Sequence, residues 1–358
     1  MHITSLTLKN FRNYDVQKIN FTPGSNLICG DNAQGKTNIL EAIYLFSHGR
    51  SHRAKHDAEL INFDAPFSMQ EIQFISGNRD FLGQMVINKN GKKMIKINNI
   101  PITKLSKLMN YLNIVLFSPE DLSLVKGAPS IRRKFMDASI SQLYPNYMAS
   151  LVSYQKALVQ KNALLKNLRR SGKKSDSGLS AWNAGLANDA EIIMKYRAEF
   201  LATLSEFAKN IQSEISSEEL LVSYDPNLKS DEDIYSYLEN HQQREIEYGS
   251  SLFGIQRDDI SIFVGNHDTR LFASQGQQRT AALSLKISQA DFIHHIKNEY
   301  PILLLDDIMS ELDKNRRKYL WEKIQDKQVI ITCTDIDDIP FAGKQKIFRV
   351  KGGCVTEE

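Results

Sequence analysis

Gly30-Asp31-Asn32-Ala33-Gln34-Gly35-Lys36-Thr37-Asn38 sets glycines at positions 30 and 35 and follows the second with a lysine and a threonine. That is the spacing of a phosphate-binding loop, and each residue type has a physical reason. The glycines let the backbone curl so that successive N–H groups point inward at phosphate oxygens. Lys36 is long enough to reach the β- and γ-phosphates, and the Thr37 hydroxyl is placed to hold Mg²⁺. A helix opening near Thr37 adds its positive dipole end to the same site. The other reading is a chance match in a polar loop. The flanks argue against it: Asn26-Leu27-Ile28-Cys29 reads as a buried strand, and Asn38-Ile39-Leu40-Glu41-Ala42-Ile43 as the start of a helix. The loop therefore predicts binding of a nucleoside triphosphate.

The chain around this loop has 358 residues, 42% hydrophobic and 24% charged, enough for two domains and a substantial core. No run approaches the ~18 apolar residues of a membrane span, and no signal-peptide pattern opens the sequence. Cys29, Cys333 and Cys354 are too few and too scattered for a disulfide framework or a zinc site, so a cytoplasmic, reducing setting without a membrane partner is expected. The net charge of +3 is uninformative, but its distribution is not. Between Lys126 and Lys174 there are eleven Lys/Arg and a single acid, Asp137, whereas between Gln212 and Asp259 twelve Asp/Glu face three Lys/Arg. The basic stretch fits a phosphate backbone, with a solvated helical surface as the plain alternative.

The first ~115 residues read as strand-rich, with one helix after the phosphate loop. Asn90-Gly91, between Met85-Val86-Ile87 and Met94-Ile95-Lys96-Ile97, predicts a type I′ hairpin, and Ser76-Gly77-Asn78 marks another turn. From Ser130 the period becomes helical. Tyr147, Leu151, Tyr154, Leu158, Leu165 and Leu168 make one stripe, broken only at Lys161. Trp182, Leu186, Ile193, Tyr196, Phe200, Leu204, Phe207, Ile211 and Ile215 make a second. Two such stripes joined by a Gly/Ser/Lys turn predict an antiparallel helical arm over about 147–215. At its tip, Arg169, Arg170, Lys173 and Lys174 are either solvated or in contact with DNA. His48, His52 and His56 could mimic a metal face. Gly49 interrupts the helix they would need, and Arg50, Arg53 and Lys55 would repel a cation.

Two further motifs narrow the class. Ile302-Leu303-Leu304-Leu305-Asp306-Asp307 is an apolar strand ending in two carboxylates, one to hold the Mg²⁺ shell (Asp306) and one to polarise water (Asp307). Together with Lys36, Asp307 is the expected catalytic pair. Upstream, Ala273-Ser274-Gln275-Gly276-Gln277-Gln278-Arg279-Thr280 places serine and glycine before a helix, a second anion-binding N-terminus. Kinases and GTPases have no use for such an element. ATP-binding-cassette ATPases do: there a signature loop, represented here by Ser274, Gln275, Gly276, Gln277 and Arg279, caps the γ-phosphate held by another subunit. Ser310-Glu311-Leu312-Asp313 resembles the D-loop that crosses the same interface.

At this level of detail the whole chain resembles the RecF family, bacterial recombination and gap-repair ATPases related to SMC-type heads. The resemblance rests on Leu6-Thr7-Leu8-Lys9-Asn10-Phe11-Arg12-Asn13-Tyr14, the phosphate loop with Leu40-Glu41-Ala42-Ile43, and Phe117-Ser118-Pro119-Glu120-Asp121-Leu122. It continues in Arg132-Arg133-Lys134-Phe135-Met136-Asp137, Ser274–Thr280 and Leu303–Asp313. It implies an α/β fold, a mixed sheet around a P-loop core, with an ATP-binding domain of residues 1–115 plus 285–358. An inserted, mainly helical domain of residues 116–284 would carry the short arm and the signature.

The resemblance also implies ATP and Mg²⁺ as ligands and an ATP-dependent homodimer on gapped duplex or single-strand/double-strand junction DNA. It implies cooperation with RecR and RecO, loading of RecA, and weak DNA-stimulated ATP hydrolysis as a release step. Arg132, Arg133 and Lys134 are the candidate DNA contacts beside the arm tip, and Arg50 and Arg53 would belong to a basic loop near the ATP or DNA surface. A non-hydrolysing DNA-binding scaffold, and another cassette ATPase such as a chromosome-condensing head or a transporter subunit, are the alternatives. Two positions depart from the family pattern: Ile255 and Gln256 stand where Pro and His are usual, and Thr334 falls where many cassette proteins carry a switch histidine. A threonine there supplies no imidazole to the γ-phosphate, which fits slow hydrolysis.

Overall fold

Alternation interrupted by a bulge between Ile3 and Ser5 makes a hairpin, β1 (His2–Phe11) and β2 (Tyr14–Asn20), whose inward residues Ile3, Leu6 and Leu8 are fully buried. The computed structural model describes residues 1–228, 233–336, 339 and 345–358. After β3 (Ser25–Cys29) and α1 (Lys36–His48) the chain returns as β4 (Phe67–Ser76), β5 (Arg79–Asn88), β6 (Lys93–Ile97) and β7 (Ile100–Pro101). These complete an antiparallel sheet in the order β2-β1-β4-β5-β6-β7.

The type I′ turn expected at Asn90-Gly91 is not there. Only Gly91 has a positive φ (78°), and Gly91 N–H bonds Asn88 C=O at 2.8 Å, so a three-residue loop joins β5 to β6. Among the described residues, two-residue turns with positive φ at both positions lie at Gly77-Asn78 (54°, 59°), Asn98-Asn99 (48°, 65°) and Gly352-Gly353 (56°, 76°), because those pairs sit between directly opposed strand residues.

The second sheet holds the phosphate loop. A short α2 (Leu105–Leu108) leads to β8 (Ile114–Phe117), and α3 (Leu122–Lys126) and α4 (Pro129–Ser141) lead out to the long helices α5 (Pro145–Ser171) and α6 (Ser177–Ile215). Next come β9 (Leu220–Asp225), α7 (Ile234–Asn240) and α8 (Gln242–Tyr248), then β10 (Asp259–Val264), β11 (His267–Asp268) and α9 (Thr269–Phe272). The chain re-enters through α10 (Gln275–Lys297), β12 (Ile302–Asp306), α11 (Ile308–Glu311), α12 (Lys314–Ile324) and β13 (Val329–Cys333). It ends with β14 (Gln345–Lys351) and β15 (Cys354–Glu357).

The sheet order is β15-β14-β3-β13-β12-β8, parallel from β14 to β8 and antiparallel at β15. Both faces are covered over the inner strands, so β8, β12 and β13 are nearly continuous apolar runs, while the outer β14 and β15 are mixed. Leu27, Cys29, Leu303, Leu305, Val329 and Ile331 join the core shared with the helical region, while Ile28, Ile302, Leu304 and Ile330 join the core under α1 and the first sheet. The division expected at 115/116 falls inside β8, and that at 284/285 inside α10.

The helical arm exists but is less free than the stripes imply. α5, of 27 residues, runs about 40 Å at 1.5 Å per residue and packs on α6. The second half of α6 lies against α10 and β9, with Phe200, Leu204, Ala208 and Ile211 in the main core, and α7 and α8 cover the outer half of the pair. Lys161, the break in the stripe, is fully buried and ion-paired at 2.6 Å to the equally buried Glu245 of α8. Lys229, Asp231 and Glu232 of the acidic stretch lie outside the described residues. Among the described residues no helix is long and apolar enough to cross a membrane.

Candidate nucleotide-binding site

Residues 30–38 run from the end of β3 into α1, in the middle of the parallel sheet. Gly30 takes φ 157° against β14, where a Cβ would stand 2.3 Å from the Val350 carbonyl oxygen. Gly35 takes φ 115°, and a Cβ there would meet Asn13 and Tyr14 at 2.5–2.9 Å. The loop is braced from the β1–β2 turn. Tyr14 Oη donates to Gly35 C=O (3.0 Å) and Asn13 Nδ2 to Gln34 C=O (2.8 Å), while Gln34 Oε1 accepts from Gly352 N–H (2.7 Å). Burial pushes the Tyr14 phenol well above its ordinary range, so it stays a donor.

Lys36 is buried and folds its ammonium back onto the Gly30 and Asp31 carbonyls, spanning the concavity of the loop. Asp31, Asn32 and Ala33 at the crest are exposed. Thr37 Oγ1 donates to Asp306 Oδ1 at 2.9 Å, so the loop threonine and the first strand-end carboxylate meet. Asp307, one residue on, is forced into left-handed backbone (φ 53°, ψ 20°), which turns its side chain from the strand into the mouth of the site. A cavity of about 330 Å³ is lined by the loop, Arg53, Asp306, Asp307 and Thr332. Arg53 Nη1 donates to Asn38 Oδ1 (3.2 Å), which places it at the edge of this pocket. Behind the loop, Arg12 forks onto buried Glu41 (2.9 and 2.8 Å). Burial would raise that carboxyl, but the Arg12 and Ser51 hydrogen bonds hold it below its ordinary range.

Two residues came through differently from the sequence reading. Thr334 lies just past β13 and is exposed, outside the pocket lining. Thr332, buried and unmarked by any motif, contacts both acidic residues instead: its Oγ1 lies 2.8 Å from Asp306 Oδ1 and 3.0 Å from Asp307 N. A threonine inside an apolar strand is indistinguishable from core in one dimension. The only signal was its register, opposite Asp306 in the β12–β13 pairing.

The signature stands apart on an exposed face. Ser274 caps α10, accepting from Gln277 N–H (3.2 Å), and Gln277 Oε1 accepts from Ser274 N–H (2.7 Å), a closed capping box. Ser274, Gln275 and Arg279 are exposed. The D-loop residues are tied to this helix. Arg279 Nη1 donates to Glu311 C=O (3.1 Å), while Arg316 bonds Gly276 C=O (2.9 Å), Thr280 Oγ1 (2.8 Å) and Asp313. Ser310 Oγ donates to Asp307 C=O (2.8 Å), and Leu312 is buried beneath. Leu271 and Phe272, immediately before the signature, are exposed.

The expected DNA contacts divide. Arg132 is a correction: it is 3% exposed, forks onto Asp259 (2.6 and 2.8 Å) and donates to Gly127 C=O, so it secures α4 and leaves no fork for a phosphate. Arg133 donates to Asp258 C=O (2.7 Å) and is half-buried; Lys134 is exposed. Asp137 is held by Arg197 and Tyr147 rather than by its arginine neighbours. At the arm tip Arg170, Lys173 and Lys174 are exposed, and Arg169, also exposed, donates to Tyr248 C=O. Ile255 and Gln256 have internal roles: Ile255 C=O accepts from Arg197, and Gln256 Oε1 from Tyr154 Oη.

His48 is buried and stacked on Tyr44 (3.9 Å), its pKa lowered by burial to about 3, so it is neutral. Cys29 and Cys333, distant in sequence, are register partners with their thiols 2.9 Å apart; all three cysteines are free.

Residues 2–353 match the family model described as the RecF/RecN/SMC N-terminal domain. The "DNA replication and repair protein RecF" of Halalkalibacterium halodurans is 41% identical, with all of both chains covered, and that of Clostridium beijerinckii is 40% identical over 100% of this chain and 99% of its own. Among solved structures, "the recombination mediator protein RecF-ATPrS in RecFOR pathway" superposes with a TM-score of 0.93 at 35% identity, covering 99% of this chain and 98% of that one. An Smc head bound to the C-terminal winged-helix domain of ScpA superposes at 0.59 with 17% identity over 100% and 97%, a likeness of fold alone.

Proposed function

Because this chain belongs to the RecF family of DNA replication and repair proteins, we propose that it is an ATP-driven clamp on gapped or junction DNA, closing as a homodimer and released by slow hydrolysis. Relatives of this family are described in the RecFOR pathway and with ATP bound, and the chain is a DNA replication and repair ATPase of that pathway. The observation that carries the clamp reading is the separation of two half-sites. Lys36, Thr37, Asp306 and Asp307 converge in one pocket, whereas Ser274, Gln275 and Arg279 lie exposed with their helix cap already satisfied. A second copy supplies what neither half has alone.

Mg²⁺ fits the oxygen donors at hand: a threonine hydroxyl and a carboxylate 2.9 Å apart suit a hard cation that keeps part of its water shell. Thr37 and Asp306 would hold it, and it would neutralise charge on the β- and γ-phosphates. Lys36, freed from the two carbonyls, turns to the phosphates. Asp307 orients the attacking water and accepts its proton. Gapped-DNA preference, cooperation with RecR and RecO, and RecA loading belong to the same reading, with Lys134, Arg170, Lys173 and Lys174 as the remaining basic candidates for DNA. The test is ATP turnover and molecular mass of the full chain, with and without gapped duplex. Turnover stimulated by DNA together with ATP-dependent doubling of mass supports the clamp. An ATP-bound monomer with no turnover points to the scaffold alternative.

A further inference from the structure

We infer that Thr332 is a positioning residue for ATP hydrolysis, holding Asp306 and Asp307 in their working orientations through one hydroxyl. The inference rests on the hydrolysis reading above and adds a residue that no motif contains.

Thr332 is 1% exposed on β13, directly opposite Asp306 in the parallel register. Its hydroxyl has one hydrogen to give and two lone pairs. Three partners lie within reach: Asp306 Oδ1 at 2.8 Å, Asp307 N–H at 3.0 Å and Leu305 C=O at 3.4 Å. The hydrogen goes to the carboxylate, the nearer and charged acceptor, and a lone pair accepts the Asp307 amide. Asp306 Oδ1 thus receives two hydroxyl hydrogens, from Thr37 and from Thr332. That fixes the rotation of the carboxylate, with Oδ1 turned to the hydroxyls.

Asp307 needs help of a different kind. A non-glycine residue at φ 53° is held in a sparsely populated conformation and persists only where its surroundings over-determine it. The Thr332 acceptor pins its N–H side and Ser310 Oγ its carbonyl side, at 3.0 and 2.8 Å. One hydroxyl therefore couples the carboxylate that would manage the metal to the carboxylate that would manage the water. A hydrogen-bonding group behind a metal-binding carboxylate typically influences affinity or activity 10–100-fold.

Full-length Thr332, Thr332→Val and Thr332→Ser proteins are compared by ATP turnover, by calorimetric nucleotide affinity with and without Mg²⁺, and by melting temperature. Valine keeps the shape and removes the hydroxyl; serine keeps the hydroxyl. The expected result is a 10–100-fold loss of turnover in Thr332→Val, a raised Mg²⁺ requirement for tight nucleotide binding, unchanged metal-free affinity, and recovery in Thr332→Ser. Wild-type turnover in Thr332→Val overturns the inference, as does a serine variant no better than valine. If the valine variant does not fold, Thr332→Cys, a weak donor of similar size, replaces it in the comparison. If the wild-type protein shows no turnover, the hydrolysis reading fails by itself. The Mg²⁺ requirement then decides the role of Thr332, and equal requirements in Thr332 and Thr332→Val refute it.

Discussion

The N-termini of α1 and α10 are built from similar small and polar residues, yet they are finished in opposite ways. α1 begins after Gly35, which has no side chain to cap it, and its first turn contains no acid. Its neighbours instead hold the loop from outside, through Tyr14, Asn13 and Gln34, and no side chain caps the leading N–H groups. α10 begins with Ser274 and Gln277 in a closed capping box, two donors satisfied by the helix's own residues. The first terminus is arranged to be capped by an anion. The second is stable as it stands, and what remains is an exposed serine hydroxyl whose hydrogen can be donated outward. In the proposed clamp, one chain therefore carries a cradle and a lid that belong to different nucleotides.

Breaking the cradle should have the largest effect. Lys36→Met removes the ammonium that spans the loop, and nucleotide affinity measured by calorimetry should fall by about 100-fold, the scale of a charge-assisted hydrogen bond lost from a closed site. Unchanged affinity would mean that α1 is not a ligand-capped terminus. Next, Arg316→Ala should loosen the lid without touching the cradle, since Arg316 binds Gly276, Thr280 and Asp313 together. ATP-dependent self-association, followed by analytical ultracentrifugation, should weaken about tenfold while monomer nucleotide affinity holds. A loss of nucleotide affinity instead would show that the two termini are not separate. Smallest is the cost of the cap itself. Ser274→Ala should lower stability by about 1 kcal/mol, a shift of about 2 °C in melting temperature for a chain of this size.

The phosphate loop and the two strand-end carboxylates were legible in the sequence because each is contiguous or ends a strand. Residues 30–38 are one run, and Asp306-Asp307 terminate an apolar β12, so periodicity and spacing suffice. What stayed hidden needed the third dimension. Thr332 looks like core until the β12–β13 register sets it against Asp306. Arg132 looked like surface charge because its partner, Asp259, lies far along the chain. Lys161 read as a defect in a stripe for the same reason, with Glu245 on another helix. The dense basic and acidic stretches thus partly neutralise one another inside the fold, and charge density along the chain overstated charge on the surface. The turns at Gly77-Asn78 and Asn90-Gly91 lie where the sequence marks them, and only the type at Asn90-Gly91 differs, because Asn-Gly is a propensity while the number of residues between opposed strand partners is a constraint.

Ser274→Arg tests the division between cradle and lid most directly. Arginine can still begin α10, but it puts a long cationic side chain where, in the proposed clamp, a small hydroxyl approaches a phosphate held by another copy. Molecular mass and nucleotide affinity are measured with ATP on the wild-type and Ser274→Arg chains. Equal nucleotide affinity is expected in the two monomers, with ATP doubling the mass of the wild type and leaving Ser274→Arg monomeric. Doubling of the Ser274→Arg mass with ATP would contradict that division.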